Sequence, residues 1–301
     1  MKIFVDTAEL DEIKEANSWG ILDGVTTNPS LIKKAVTKRQ DIEMEGYIKK
    51  ICRAVDGPVS LEVIGLTRDE MVAQGELLYE KFNPVNGNVV VKIPINTSTR
   101  ENSAGEYEGL KALKKLSSKG IPTNTTLIMK PEQALMAAKA GTQYVSPFAG
   151  RIDDFIRTNV GLTRGEDYPK GDYHDAEWLR HASYLNLKPR YEELEGDDLA
   201  EIYFDEKINK IKDSISDEGI FTGASAVSSI RQIFSNYKFD TEILAASIRN
   251  SRQVREVAEA GADVATIPFK VLREMLGHYK TEQGIISFSE DVVEKYEAIF
   301  R

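Results

Sequence analysis

Residues 121 to 150 read IPTNTTLIMKPEQALMAAKAGTQYVSPFAG. The two ends, IPTNTTLI (121 to 128) and YVSPFAG (144 to 150), are short runs in which β-branched and aromatic residues predominate over helix formers, the composition of a strand. Between them, KPEQALMAAKAG (130 to 141) sets Ala134, Leu135 and Ala138 at helical spacing and ends on Gly141, the residue best suited to a left-handed C-cap. Strand, helix and strand joined by such short connections form the repeating unit of a parallel sheet.

The same alternation extends in both directions. Upstream lie KIFVDT, AELDEIKEANSWG, GVTTN, a helical stretch from Ser30 into the 40s, VSLEVIG (59 to 65) and VVVKIPI (89 to 95). Downstream lie EILAAS (242 to 247), the helix SRQVREVAEAG (251 to 261) and VATIPF (264 to 269). These give eight strand candidates, the number that closes a (β/α)8 TIM barrel. The regularity breaks once, between Gly150 and about Thr222, where the chain is too long for an ordinary connection and carries Gly161, Gly165, Pro169, Gly171, Pro189 and Gly196. The expected organisation is therefore a barrel catalytic domain of residues 1–155 and 223–301, with a helical insertion over 156–222 after strand six. Leu199, Ile202, Tyr203, Ile208, Ile211 and Ile215 predict a helix after Gly196 with Asp197 near its start, and Trp178, Leu179, Ala182 and Leu185 predict another. The insertion holds 5 of the 12 tyrosines and Trp178, too aromatic a content for a disordered linker, so a folded lid or an oligomer contact is expected.

The formal charge, 39 bases against 48 acids, is -9, which disfavours nucleic acid and anionic membrane surfaces as partners. A small anionic substrate is still compatible, because a few local arginines override the global field. The lone Cys52 leaves no intramolecular disulfide and no Cys-based metal cluster, which points to a reducing, cytoplasmic setting. No stretch approaches the roughly 20 apolar residues of a membrane span, and no targeting segment is expected.

In a barrel, the C-terminal ends of the strands share one rim, so polar residues that end different strands converge. Asp6 closes strand one, Thr26 and Asn28 close strand two, Glu62 lies on strand three and Lys92 on strand four. Asn124 and Thr126 sit on strand five, Ser146 on strand six, and Ser247 and Arg249 follow strand seven. Lys92 is the most unusual, because an apolar strand penalises its charge and favours the neutral amine that forms imines. The alternative is a Lys on a solvated edge or paired to a carboxylate. Asp6 and Glu62 offer the two carboxylates that proton transfer around an imine requires; equally, Asp6 could precede a Thr7 helix cap and Glu62 could be salt-bridged to a barrel Lys. Asn28 before Pro29 is either a turn residue ahead of a helix capped by Ser30 or a ligand for a sugar hydroxyl. Asn124 and Thr126 alternate with Thr125 and so share one face, in a structural or a binding role. Ser247 and Arg249 suit an anion grip. Arg151 could join them, although Asp153 and Asp154 offer it nearby partners. No His stands at a strand end, which leaves imidazole catalysis and a His-ligated metal without candidates, and no glycine-rich nucleotide cradle follows any strand. No cofactor and no metal are expected.

Taken jointly, DTAELDEIKE, GVTTNPSLI, VSLEVIG, VVVKIPI, PTNTTLI, YVSPFAGRIDD, LAASIRN and GADVATIPF resemble the transaldolase family, including its short members and the related fructose-6-phosphate aldolases. The resemblance covers both flanks of the insertion. It implies a ketose phosphate cleaved through an imine on Lys92, with a dihydroxyacetone carbanion passed to an aldose phosphate, as in the pentose phosphate pathway. Asp6 would then be the general acid/base, Glu62 the carboxylate working through a bound water, and Thr126 the hydroxyl helping to hold that water. Thr26, Asn28, Asn124 and Ser146 would contact the dihydroxyacetone part, Arg151, Ser247 and Arg249 would grip phosphate, and Phe148 would form an aromatic wall. The aldolase relatives carry Gln at the position of Glu62 and Tyr at that of Phe148, so both residues point to transfer. The insertion is the departure, since its own residues carry no resemblance that can be named. Short members are often rings, so a homo-oligomer is expected. The tail IISFSEDVVEKYEAIF reads as a helix that packs on a neighbour or, through Val292, Val293, Tyr296 and Ile299, on its own barrel.

Overall fold

The computed structural model describes residues 1–37, 43–99, 105–194 and 199–301. Among these, eight strands form a closed barrel: Lys2–Asp6 (β1), Gly24–Thr26 (β2), Val59–Glu62 (β3), Val89–Pro94 (β4), Thr123–Ile128 (β5), Tyr144–Pro147 (β6), Glu242–Ala245 (β7) and Val264–Ile267 (β8). Each pairs in parallel with its neighbours, and β1 returns to β8 with Lys2 opposite Val264 and Val5 opposite Ile267. The chain is thus a (β/α)8 TIM barrel with an insertion after strand six. Helices cover the outside, where Val91, Ile93, Val145, Ile243 and Ala265 are buried beneath them. The helix Pro131–Ala140 ends on Gly141 at φ 94°, as its sequence requires.

The inside is what positions the site. Phe4, Val90, Tyr144, Leu244 and Val264 form an apolar layer across the barrel, with the rings of Phe4 and Tyr144 edge to face at 6.3 Å. Gly24 completes it by omission, since a Cβ there would stand 2.7 Å from the Phe4 ring. Side chains alternate along a strand, so the next inward residues are two positions on: Asp6 above Phe4, Lys92 above Val90, Ser146 above Tyr144 and Thr266 above Val264. Each polar member of that second layer stands over an apolar floor.

Several local expectations are corrected. The helix after β2 begins at Pro29, and its cap is Asn28, whose Oδ1 accepts from Leu31 N at 3.0 Å, so Ser30 is not the cap. Thr7 Oγ1 accepts from Glu9 N at 3.1 Å in the turn leading into the helix Leu10–Ser18. In the insertion, the helix Ala176–Glu193 is capped by Asp175. The run of apolar residues from Leu199 to Ile215 is broken: Leu199–Phe204 stops, and the Asp205 carboxylate caps a new helix, Glu206–Ser214, by accepting from Ile208 N at 3.0 Å. An Asp at that point competes for the backbone and restarts the helix. Gly196 and Asp197 lie outside the described residues. The C-terminal tail also breaks, into Tyr279–Glu290 and Glu294–Glu297, because the β-branched Val293 is extended (φ -101°, ψ 148°). Its Phe288 and Ile299 are 73% and 70% exposed, so the tail does not cover its own barrel. Among the described residues no helix is long and apolar enough to cross a membrane.

Candidate active site

Lys92 is 5% exposed although it stands at the mouth end of β4. Its Nζ lies 3.1 Å from Glu62 Oε2, directly across the β3–β4 register, and donates to the Thr27 carbonyl at 3.3 Å. The amine is therefore inside the barrel and has a carboxylate partner, the alternative to a lone amine.

Asp6 approaches Lys92 from β1. Thr26 Oγ1 donates to Asp6 Oδ1 at 2.7 Å and sits 2.5 Å from Thr266 Oγ1, so the Thr266 hydroxyl must be the donor in that second contact. Burial pushes the Asp6 carboxyl above the usual carboxylate range, with the Lys92 charge and the Thr26 hydroxyl opposing the shift. Across the barrel, Ser146 Oγ donates to Asn124 Oδ1 at 2.7 Å, and Asn124 Nδ2 donates to Ser60 Oγ at 3.2 Å. Asn124 and Thr126 face inward, while Thr123 and Thr125 turn the other way to Thr142. Thr126 Oγ1 is buried without a hydrogen-bond partner.

A cavity of about 260 Å³ opens over this layer. Asp6, Thr26, Asn28, Lys92 and Ser146 line its base, and Phe148, Arg151, Ser247 and Arg249 line its wall. Glu62 reaches it only through Lys92 and otherwise borders an apolar groove with Leu61, Ile64 and Leu77. Asn124 lies behind Ser146, and Thr126 does not border the cavity. Thr266 and Arg164 do, and neither was singled out from the sequence. Thr266 follows the inward Val264 by the strand period and was legible; Arg164 is 13 residues beyond Arg151 within the insertion, where no pattern marks it.

The cationic side of the cavity is built by the turn from β6 into the helix Ala149–Asn159. Arg151 lies over the Phe148 ring at 5.1 Å, a distance typical of cation–π contact. Gly150 lets the helix start approach the segment after β7, since a Cβ there would strike the Ser247 carbonyl and stand 2.7 Å from Arg249 Cγ. Ser247 takes a left-handed φ of 62°, which a non-glycine residue adopts at some cost. Arg249 Nη2 donates to Asp154 Oδ2 at 2.8 Å, and its backbone N–H donates to Gln253 Oε1 at 2.9 Å. Gln253 Nε2 in turn donates to Asp153 Oδ2 at 2.6 Å, and Asp153 Oδ1 accepts from Gly223 N at 2.7 Å. Burial pushes the Asp153 carboxyl up to about 7, against these hydrogen bonds. Asp153 and Asp154 are therefore not partners of Arg151; they anchor Arg249 from beneath and beside. Among the described residues no three His, Cys, Asp or Glu side chains are grouped to hold a metal ion.

Comparison with known proteins bears on the family of the chain. The family profile described as transaldolase/fructose-6-phosphate aldolase matches residues 3–172 and 203–301, leaving the middle of the insertion unmatched. A probable transaldolase of Chlorobaculum parvum is 40% identical over 294 residues, 97% of each chain. Probable transaldolases of Aquifex aeolicus and Hydrogenobaculum sp. are 38% and 40% identical over 291 residues, 97% of this chain and 96% of theirs. With a closed barrel, a buried lysine at its mouth and likeness along both flanks of the insertion, the chain belongs to the transaldolase/fructose-6-phosphate aldolase family and is an enzyme of the aldolase and transferase type.

Proposed function

We propose that the chain is a transaldolase that moves a dihydroxyacetone unit from a ketose phosphate, sedoheptulose 7-phosphate or fructose 6-phosphate, to an aldose phosphate through an imine on Lys92. The observation that carries this reading is the buried Lys92 amine, 3.1 Å from a carboxylate and bordering the same cavity as Asp6 and three arginines. A buried ion pair is seldom a net gain in stability, so its presence in the barrel mouth asks for a use.

In this reading Lys92 passes a proton to Glu62, and the freed nitrogen attacks the ketose carbonyl. The carbinolamine loses water with proton delivery from the carboxylates. Thr126 Oγ1, buried and without a protein partner, suits the hydroxyl that holds the water through which Glu62 works. Asp6, as carboxylate, then takes the proton of the C4 hydroxyl, the C3–C4 bond breaks, and its electrons enter the iminium. The aldose phosphate leaves and the three-carbon enamine remains on Lys92. Thr26, Asn28 and Ser146 hold its hydroxyls, Asn124 serves the same subsite through the Ser146 hydroxyl, and Phe148 walls it from water until an acceptor aldehyde reverses the steps. Arg151, Ser247 and Arg249 hold the phosphate.

We further infer a cytoplasmic homo-oligomer working in the pentose phosphate pathway, with residues 156–222 as a lid or subunit contact on the 1–155 and 223–301 barrel. Support comes from the exposed Trp178, Tyr184 and Phe204 of the insertion and from the buried, unpaired Cys52 thiol, which burial pushes up to about 11.

The test is acceptor dependence. Incubated with fructose 6-phosphate, the enzyme forms sedoheptulose 7-phosphate only when erythrose 4-phosphate is added, and Lys92→Ala forms none. Free dihydroxyacetone without acceptor would make it an aldolase instead, and no turnover with any ketose phosphate would leave a sugar-phosphate-binding scaffold.

A further inference from the structure

Arg164 belongs to the insertion, yet its side chain borders the catalytic cavity beside Arg151 and Arg249. A single oxygen explains the arrangement. Asp154 Oδ2 lies 2.8 Å from Arg249 Nη2 and 3.4 Å from Arg164 Nη1, so one carboxylate holds two guanidiniums next to each other. Its other oxygen accepts from Tyr168 OH at 3.2 Å. Tyr168 is 9% exposed and lies under the Arg157 guanidinium at 4.1 Å. Between Arg164 and Tyr168 the chain makes a tight turn, with Gly165 N donating to the Tyr168 carbonyl at 2.8 Å and Gly165 at φ 92°. Thr163 N donates to Asp167 Oδ2 at 2.7 Å and fastens the same turn. Arg164 is thus presented by a braced loop, while its side chain keeps 34% of its surface open.

The charges make the case chemical. Four cationic side chains, Lys92, Arg151, Arg164 and Arg249, line the cavity against the one carboxylate of Asp6. Glu62 answers Lys92, and Asp154 is shared by two arginines. Like charges are not gathered in a chain of net charge -9 without a cost unless an anion separates them. A phosphate dianion presents three acceptor oxygens, and a guanidinium forks onto such oxygens with two N–H groups.

We propose that Arg164 is a third arginine of the phosphate grip, supplied by the insertion, with Asp154 as the positioning residue that sets it parallel to Arg249. This inference rests on the transaldolase reading for the identity of the substrate but not for the presence of the phosphate site. Because Arg164 touches the end of the sugar remote from the breaking bond, it adds binding that is equal in ground and transition states, and its loss raises KM while sparing kcat.

The test compares wild type, Arg164→Ala and Arg164→Lys as full-length proteins. Titration calorimetry measures the affinity for fructose 6-phosphate and for inorganic phosphate, and borohydride trapping with unphosphorylated dihydroxyacetone measures the Lys92 adduct. Arg164→Ala is expected to weaken both phosphate ligands by on the order of tenfold or more, Arg164→Lys to recover part of that loss, and the dihydroxyacetone adduct to be unchanged. Wild-type affinity for both ligands in Arg164→Ala overturns the proposal, as does an adduct that falls in step with affinity, which marks a structural role. If wild type itself gives no adduct, the imine reading fails, and the phosphate affinities still decide Arg164.

Discussion

Lys92 and Glu62 are only 7% and 14% exposed in their side chains, and what they cost the fold is measurable. Removing one partner of such a pair strands the other charge, whereas replacing both with apolar groups of similar volume is often neutral or stabilising. Lys92→Met alone is therefore expected to destabilise by about 3–5 kcal/mol, and Lys92→Met with Glu62→Leu to recover at least that amount while being inactive. Urea unfolding of the two variants checks this; a double variant no more stable than the single would mean the pair is structural. Asp6 gives a second expectation at this scale. Its carboxyl is raised above 3.8, chiefly by burial, and the mechanism needs it ionised. Activity is then lost as pH falls through the raised value, so the acid limb of kcat/KM lies above the pH at which an ordinary Asp titrates. A limb at or below 3.8 contradicts the assigned base. Thr266→Val should act through the same group, since the Thr266 hydroxyl donates to Thr26, which donates to Asp6.

At the level of elements, the end of β6 decides the cationic side of the cavity, the proposed phosphate grip. The helix Ala149–Asn159 starts against Ser247 and Arg249 with only the Gly150 hydrogen between them, so Gly150→Ala must displace backbone. A fall in kcat/KM of about tenfold or more is expected, with the larger part in KM, because the grip moves and the amine does not. Steady-state kinetics with fructose 6-phosphate reads the split; unchanged KM would refute it. One turn on, Asp153 joins this helix to Gly223, the first residue of the helix Gly223–Tyr237, and to Gln253. Its folded value of about 7 exceeds the ordinary 3.8, so its stabilising contribution is complete below 3.8 and is lost as pH rises through 7. The shift corresponds to up to about 4 kcal/mol. His174 runs the other way: burial lowers it from 6.5, so its contribution is present above 6.5 and is lost as pH falls. Asp153→Asn removes the first slope and keeps the second. Urea unfolding at about pH 5 and about pH 8 should show the variant gaining on wild type at the higher pH; parallel profiles would exclude Asp153 as the source.

For the molecule as a whole, the barrel was legible because strand and helix periods differ and each strand ends on the same rim. That logic found Asp6, Thr26, Lys92, Ser146 and Arg249 at one cavity, since a residue's place on its strand fixes both its face and its height. It left the Lys92–Glu62 contact only as one alternative, because choosing it depends on the β3–β4 register, and it gave no sign of Arg164, which reaches the cavity from a segment with no period in common with the barrel. The break at Asp205 was hidden because apolar spacing ran through it, although Asp is a cap residue. The tail leaves Phe288, Ile299 and Phe300 exposed, and a homo-oligomer that buries them is expected. Sedimentation velocity should give a multiple of 33.7 kDa, and a monomer would refute it. The central claim is that the fold delivers one reactive amine to the sugar. Reduction with borohydride in the presence of fructose 6-phosphate, followed by peptide mass mapping, should leave a stable adduct on the peptide carrying Lys92 and none in Lys92→Ala; an adduct on any other residue, or no adduct at all, contradicts the account.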